Sequence, residues 1–317
     1  MVKVAVVGGT GNVATELLRA PIRSAKHEIT IFTRSDAPAN PVPGLAYKKV
    51  EYRDLANLTN ALQGFDTCLS FIITQSDIDN TVQKNLIHAC IAAGVRRFAP
   101  SEWAIANGSG VPSYENKDGI AAYLHDLKEK DKMGNLQYCL FQPSVFIDYF
   151  AHPYPLSPNL ITWPFFIDLE KRRAMVLDDG TLPIVLTAIS DVSEVLALAL
   201  DDARPWPRVG GMQGVKTSIN EIVAVGKKIR GSEWTVEYVK SEDMDKGQLK
   251  TSWVPQFSHP AIPADQHPAF STMFVVCFFV AMKRGAWNVS REFNDMFPEF
   301  QFLGLEEYLA KAWKGRA

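Results

Sequence analysis

The first fourteen residues constrain the fold more than any other stretch of the chain. Val2, Val4, Ala5, Val6 and Val7 form an apolar run broken only by Lys3, and Gly8-Gly9-Thr10-Gly11-Asn12-Val13-Ala14 follows at once. A β-branched run without alternation reads as a strand buried on both faces, as in the middle of a parallel sheet. Glu16-Leu17-Leu18-Arg19 then begins a helix. Strand, glycine-rich turn and helix is the context in which a dinucleotide fingerprint has physical meaning. Gly8 and Gly11 let the backbone turn sharply and approach a pyrophosphate, so Gly8, Thr10, Gly11, Asn12 and Val13 form the expected phosphate-holding turn. The helix start behind them offers unpaired N–H groups to anionic oxygens. Ala14 still permits close helix–strand packing. A tight turn that binds nothing is the competing reading.

The pattern repeats downstream. Residues 15–26 read as the first helix and 28–32 as the second strand, with Thr33-Arg34-Ser35 at its end. That end faces the adenosine ribose in a dinucleotide-binding sheet. An acidic residue there would favour NAD, whereas Arg34 and Ser35 suit a 2′-phosphate, so NADP(H) is the expected cofactor. A solvated surface arginine is the alternative. Asp36, beyond the strand end, is expected to point away.

Residues 48–52 read as a third strand, with a helix from Asp54, and 66–73 as a fourth. Ile73 and Thr74, where that strand ends, should border the cofactor's path. A helix over 78–94, a fifth strand over 95–99, a helix over 119–130 and a sixth strand over 138–144 complete the alternation. Strands and helices alternating at this spacing predict an α/β fold, a Rossmann-type doubly wound parallel sheet. A smaller mixed α/β substrate-binding region accompanies it. The expected division is an NADP-binding domain over 1–150, to which 181–230 adds a strand and helices, and a substrate-binding region over 151–180 and 231–317.

At this point the chain resembles a known family. The carrying features are the Gly8–Ala14 turn, Arg34, and the segment Arg97-Phe98-Ala99-Pro100-Ser101-Glu102-Trp103. To these add Tyr114 and Lys117 in aromatic-x-x-Lys spacing, and Pro143-Ser144-Val145-Phe146-Ile147-Asp148-Tyr149-Phe150. The sequence is similar to NmrA-like, isoflavone-reductase-like members of the atypical short-chain dehydrogenase/reductases. In the reductases of that family the residue resembling Lys117 is the catalytic acid/base. Trp103 stands where phenylalanine is commoner, Ala104 where glycine usually follows, and Ser144 where many relatives carry Asn or Gly. The usual Tyr-x-x-x-Lys pair is absent, since no tyrosine has a lysine four residues on.

The chemistry of Lys117 also stands on its own. A lysine beside a cationic nicotinamide and partly drawn out of water has a lowered pKa, so it exchanges protons near neutrality. Its ammonium neutralises charge left on a substrate after hydride delivery. A helix-entry lysine in water is the alternative. Tyr114 is either a packing aromatic or a second pocket hydroxyl. Glu102, at the carboxyl end of a central strand, either orients Lys117, binds a substrate amine or caps the next segment. Pro143, Ser144 and Phe146 should lie under the nicotinamide, with Asp148, Tyr149 and His152 on the pocket side. His152 is a substrate ligand, a proton relay or a structural residue.

Residues 151–180 carry four prolines with Trp163, Phe165 and Phe166, and read as a hairpin-like cover for the nicotinamide end. Trp103, Tyr149, His152, Trp163 and Phe166 are the candidate substrate contacts. Such aromatics suit a flat, aromatic or polycyclic small molecule. Asp191 is a plausible N-cap, and Ser218 with Glu221 a capping box. Residues 253–268 read as a loop with the character of a lid, 274–282 as a buried helix and 302–313 as a closing amphipathic helix. Trp287, Phe293, Phe297 and Phe300 read as one aromatic cluster.

Composition excludes other classes. Net charge is −2 and no basic run stands out, so nucleic acid is not an expected partner. The most apolar late stretch, 274–282, is far short of the ~20 residues a membrane helix needs. The chain enters a core strand without a leader, and its four cysteines are scattered in apolar runs, which points to reduced thiols in a cytoplasmic protein. No metal-ligand spacing occurs, so no metal is expected. The expected molecule is a monomer or homodimer. Its expected activity is hydride delivery from NADPH to a C=C, C=O or C=N bond of an aromatic or alkaloid-like metabolite, with Lys117 as proton donor. A cofactor-retaining cyclase or isomerase, and an NADP-sensing regulator without catalysis, are the rivals.

Overall fold

The computed structural model describes residues 1–77, 79–257 and 262–316, the side chain of Gln75 excepted. Six parallel strands form the main sheet: β1 (Lys3–Val7), β2 (Glu28–Thr33), β3 (Leu45–Lys49), β4 (Thr67–Ser70), β5 (Arg97–Ala99) and β6 (Gln137–Tyr138). Their spatial order is β3-β2-β1-β4-β5-β6. The β-branched run of β1 is at the centre as its composition demands, with Val4 to Val7 wholly buried. Val7 is in register with Phe32 on one side and Ser70 on the other. The carboxyl ends of β2, β1 and β4 therefore finish together, and the strand order reverses between β1 and β4. That crevice is where open α/β sheets bind ligands.

Helices α1 (Asn12–Leu17), α2 (Arg19–Ser24), α3 (Leu55–Leu62), α4 (Thr81–Ala93) and α5 (Glu115–Glu129) connect these strands. The single helix expected over 15–26 is two. Pro21 has no N–H for the Leu17 carbonyl, and the Ser193 hydroxyl donates to that carbonyl instead, at 2.9 Å. Helix α5 begins four residues earlier than expected, after a 3₁₀ turn at Pro112–Tyr114. Lys117 thus lies inside the first turn of a helix, with Glu115 and Asp118 beside it. The helix expected over 78–94 starts at Thr81; Ile78 lies outside the described residues.

The sixth strand expected over 138–144 is divided. After β6 the Cys139 amide still donates to Phe98, but the Leu140 amide donates to Arg208. The chain has moved to a new partner and continues as β7 (Leu140–Gln142) and β8 (Val145–Phe146). Beyond it, β9 (Ile167–Asp168) and β10 (Arg173–Leu177) form the antiparallel hairpin expected within 151–180. There follow β11 (Ile184–Thr187), α6 (Ile189–Asp201), β12 (Val209–Gly211), β13 (Val215–Thr217), α7 (Ile219–Arg230), β14 (Thr235–Val239), α8 (Ser241–Met244), α9 (His267–Lys283), α10 (Glu292–Met296) and α11 (Leu305–Ala312). β12 pairs with β7 and β11 with β8, while β14 pairs with β10 in a separate three-stranded sheet.

Asp191 does not cap α6. Its carboxylate accepts from the Leu303 amide at 2.7 Å, and Asp148 caps the helix by accepting from the Ile189 amide at 3.0 Å. Ser218 does cap α7, accepting from the Glu221 amide at 3.3 Å. The apolar stretch over 274–282 extends in both directions into α9, which begins inside the loop expected over 253–268. Residues 258–261 of that loop lie outside the described residues. The expected aromatic cluster is two: Trp287 stacks on Phe278, whereas Phe293 stacks on Phe141 and Phe297. Cys68, Cys90 and Cys139 are buried and Cys277 half-buried. Among the described residues no helix is long and apolar enough to cross a membrane, and no cluster of His, Cys, Asp or Glu could hold a metal ion.

Candidate functional site: a glycine-turn crevice ending at Lys117

The glycines of the first turn fall into two kinds. Gly8 has φ +73°, and a Cβ there would sit 2.8 Å from the backbone of Phe71. A Cβ on Gly9 would come within 2.6 Å of Ile31 Cδ1. Packing alone demands both. Gly11 has φ −72°, and a Cβ on it would meet only the Gly8 carbonyl oxygen, at an ordinary 3.5 Å. Folding does not require glycine at that position. Its missing side chain leaves the turn open on the solvent side, and no side chain caps the start of α1. Thr10 and Gly11 are exposed, Asn12 and Val13 half-buried. Such a cradle suits a bulky anionic group that must approach the backbone closely.

Arg34 and Ser35 stand exposed at the end of β2. Asp36 is drawn off by Lys49, 3.0 Å away. Tyr52, which sequence reading passed over, donates its hydroxyl to the Phe32 carbonyl at 2.6 Å. Burial raises its pKa against the opposing pull of the Gly8 backbone and the Arg34 charge. Tyr52 therefore lies against both the glycine turn and the arginine-bearing strand end. Across the crevice Ile73 is 51% exposed, a large apolar side chain left in the open. Thr74 is buried, and its carbonyl accepts from Asn116 Nδ2 at 3.2 Å.

At the far end Lys117 is half-buried, and its Nζ donates to the backbone carbonyl of Glu102. Burial lowers the Lys117 pKa, opposed by the Glu102 charge. Glu102 is itself 2% exposed. Burial raises its pKa, while the Lys117 charge and a hydrogen bond from Asn107 pull it down. Tyr114, one turn earlier, packs edge-on against Trp287 at 6.2 Å and lies 6.0 Å from Lys117 Nζ; burial raises its pKa also. Glu102, Tyr114 and Lys117 thus lie together, although they come from a loop, a 3₁₀ turn and a helix. Asn107 and Gln142 join them without having been anticipated. Asn107 Nδ2 donates to Glu102 Oε2 at 3.1 Å and to Asp118 Oδ1 at 3.2 Å, and Gln142 Nε2 donates to Asn107 Oδ1 at 2.7 Å. No sequence signal marks either amide, because the partners are up to 35 residues apart.

The remaining candidates separate. Ser144 adopts φ +60° and is pinned, its hydroxyl donating to the Trp287 carbonyl at 2.8 Å and its amide to Ala104 at 2.9 Å. Pro143 and Phe146 are buried beside it. Trp103 is stacked between Phe71 and Phe141, and its indole donates to the Ser70 carbonyl at 2.8 Å. It is a packing residue in this arrangement. Phe166, 1% exposed, is enclosed by Phe150, Phe165, Phe278 and Phe279. Tyr149 packs on Trp163 at 5.0 Å, and burial, with Asp148 and Tyr114 as electrostatic neighbours, raises its pKa. It joins the aromatic wall to the Lys117 end. His152 turns elsewhere, its Nδ1 3.1 Å from the Thr162 hydroxyl and near the charges of Glu170 and Asp168. Asp148 is fully buried, accepting from Tyr308 at 2.7 Å, and does not face a pocket. A cavity of about 490 Å³ at the amino ends of β5 and β6 is remote from all this, and the Arg97 in its wall is already bonded to three carbonyls.

A family model described as NmrA-like matches residues 2–309. The chain belongs to the NmrA-like family. Oxidoreductase swnN of Metarhizium robertsii is 24% identical to this NmrA-like protein over 340 residues, covering 99% of this chain and 98% of its own. Among solved structures, an isoflavone reductase superposes with a TM-score of 0.72 at 16% identity, covering 98% of each chain. AtPrR2 with NADP+ and (+)pinoresinol superposes with a TM-score of 0.68 at 18% identity, covering 97% of each chain. These structures share the NmrA-like protein's fold.

Proposed function

We propose that this NmrA-like protein is an NADPH-dependent oxidoreductase reducing a C=C, C=O or C=N bond in an aromatic or alkaloid-like small molecule. The observation that carries the reading is Lys117, a lysine drawn partly out of water where the sheet's carboxyl edge meets an aromatic wall. When bound, NADPH supplies the hydride. The open side of Gly11, with Thr10, Asn12 and Val13, receives the pyrophosphate, and Arg34 with Ser35 receives the 2′-phosphate. Ile73, Thr74, Pro143, Ser144 and Phe146 border the path to the reactive end. Residues 1–150 hold the cofactor, and 151–180 with 231–317 supply the substrate's walls. Tyr149 and Trp163 present the apolar surface that a flat substrate covers.

Lys117 acts as the proton donor. Its lowered pKa makes the ammonium a stronger acid than a solvated lysine, and the charge of Glu102 keeps enough of it protonated to act. Similarity to oxidoreductase swnN, and to the fold of AtPrR2 solved with NADP+ and (+)pinoresinol, supports an NADPH-binding oxidoreductase acting on a small organic molecule. The buried Glu102–Lys117 pair also favours a second reading, acid/base isomerisation or cyclisation without net redox. Following NADPH absorbance during turnover of a panel of aromatic ketones, enones and imines separates the two. Stoichiometric loss of NADPH that Lys117→Ala removes supports the reductase, and turnover with no NADPH loss defeats it.

A further inference from the structure

Two carboxylates face one amide beside Lys117. Asn107 Nδ2 lies 3.1 Å from Glu102 Oε2 and 3.2 Å from Asp118 Oδ1. Ionised carboxylates only accept, so the amide must turn its nitrogen toward them and its oxygen away. The oxygen meets Gln142 Nε2 at 2.7 Å. Gln142 is 3% exposed on β7, so the orientation of Asn107 is set from inside the strand layer. The Gly108 amide also donates to Asp118 Oδ1, at 2.9 Å, which fixes the second carboxylate. Gln142, Asn107 and Glu102 therefore form a directed chain that ends on the carboxylate of the residue whose backbone carbonyl accepts from the Lys117 ammonium.

We propose that Asn107, oriented by Gln142, is the positioning residue that holds the Glu102 carboxylate in place as the counter-charge of Lys117. The inference deepens the function proposed above and rests on it for its catalytic meaning, although the electrostatic linkage can be measured without substrate. Glu102 is almost wholly buried and has lost its hydration, so each hydrogen bond to its anion weighs more than it would in water. The groups acting on Glu102 are Lys117, Asp118 and Asn107; Glu102 acts on Tyr114, as does Cys277 of α9. Lys117 and Asn107 favour the anion, whereas burial and Asp118 disfavour it. Asn107 is thus the neutral group that offsets the repulsion between Glu102 and Asp118 by bonding to both. Removing it leaves two carboxylates without their shared donor, and Glu102 takes up a proton more readily. The field holding the proton on Lys117 then weakens.

The test uses the full-length apo protein and two readouts. Protonation of Glu102 is followed by its carboxylic-acid C=O band in infrared difference spectra, assigned with Glu102→Gln. Protonation of Lys117 is followed by competitive acetic anhydride labelling and mass spectrometry of the peptide carrying it. Asn107→Leu should raise the Glu102 midpoint by about one pH unit, the worth of one charge-assisted hydrogen bond. It should move the Lys117 midpoint down. Gln142→Leu should shift both in the same directions by less, and it keeps the test standing if the first variant fails to fold. In the Glu102→Gln background, Asn107→Leu should no longer move Lys117. An unmoved Glu102 midpoint in Asn107→Leu, or an equal shift of Lys117 in both backgrounds, overturns the proposal. NADPH binding by the wild type, read by fluorescence, is a separate measurement. Its absence would sink the proposed function without altering the titrations.

Discussion

The two ends of the crevice are built in opposite ways. The glycine-turn end consists of backbone from one continuous stretch, Gly8 to Val13, with a single side-chain cation added at Arg34. The Lys117 end consists of side chains from four separate segments: Glu102 and Asn107 after β5, Tyr114 to Asp118 at the entry to α5, Gln142 on β7, and Tyr149 beyond β8. Backbone geometry is set by local steric rules, so the first end is rigid wherever the turn forms. Side-chain convergence depends on every element beneath it. The first end is suited to holding a constant group, and the second to being varied without loss of the fold.

The comparison is broken most severely at the reacting end. Lys117→Ala should reduce NADPH consumption about 10³-fold, in the range of general-acid contributions, while the affinity for NADPH measured by fluorescence titration changes far less. If cofactor binding collapses in parallel, the two ends are not separable as described. At the glycine turn the expected loss is one of stability. Gly8→Ala places a Cβ 2.8 Å from the Phe71 backbone at φ +73°, which should cost about 3 kcal/mol in chemical denaturation. Gly11→Ala is the control that sharpens this. It should leave the denaturation midpoint in place and weaken NADPH about tenfold by occupying the cradle. Equal destabilisation by the two substitutions would refute the distinction between them.

The buried acid Asp191 on α6 supplies a pH test. Burial raises Asp191 to about 6, opposed by the hydrogen bond from Leu303. A raised carboxyl binds more protons in the folded state, so its contribution is full below pH ~4 and is lost as pH climbs toward 6. Asp191→Asn should flatten that slope and stabilise the protein near neutrality by about 2 kcal/mol, read from urea midpoints at several pH values. A slope unchanged by the substitution would show that the carboxyl titrates normally. The smallest effect belongs to the cation at the other end. Arg34→Ala should weaken NADPH about tenfold and leave NADH unaffected, as loss of one charge-assisted contact predicts.

Legibility in the sequence followed the same division. The sheet was readable because β1 carries an unalternating β-branched run, and the order of strand, turn and helix repeats along the chain. Lys117 and Glu102 were readable through their neighbours, Tyr114 and the segment 97–103. Asn107 and Gln142 were not, since an asparagine before glycine looks like any turn and a glutamine inside a strand carries no periodic signal. Trp103 and Phe166 read as substrate contacts because aromatics near a strand end are compatible with either role. Their burial among Phe71, Phe141, Phe278 and Phe279 depends on chain segments far away.

Sequence by itself determined the alternation of strand, turn and helix from which a parallel sheet follows, the glycine turn and the arginine at the end of β2, because each is written in residues close in the chain. Only the tertiary structure decided where the sixth strand leaves the sheet, which acid caps α6, and which amide faces Glu102. Those outcomes depend on which partner satisfies a buried polar group, and a buried donor or acceptor takes whatever the packing of distant elements brings within about 3 Å.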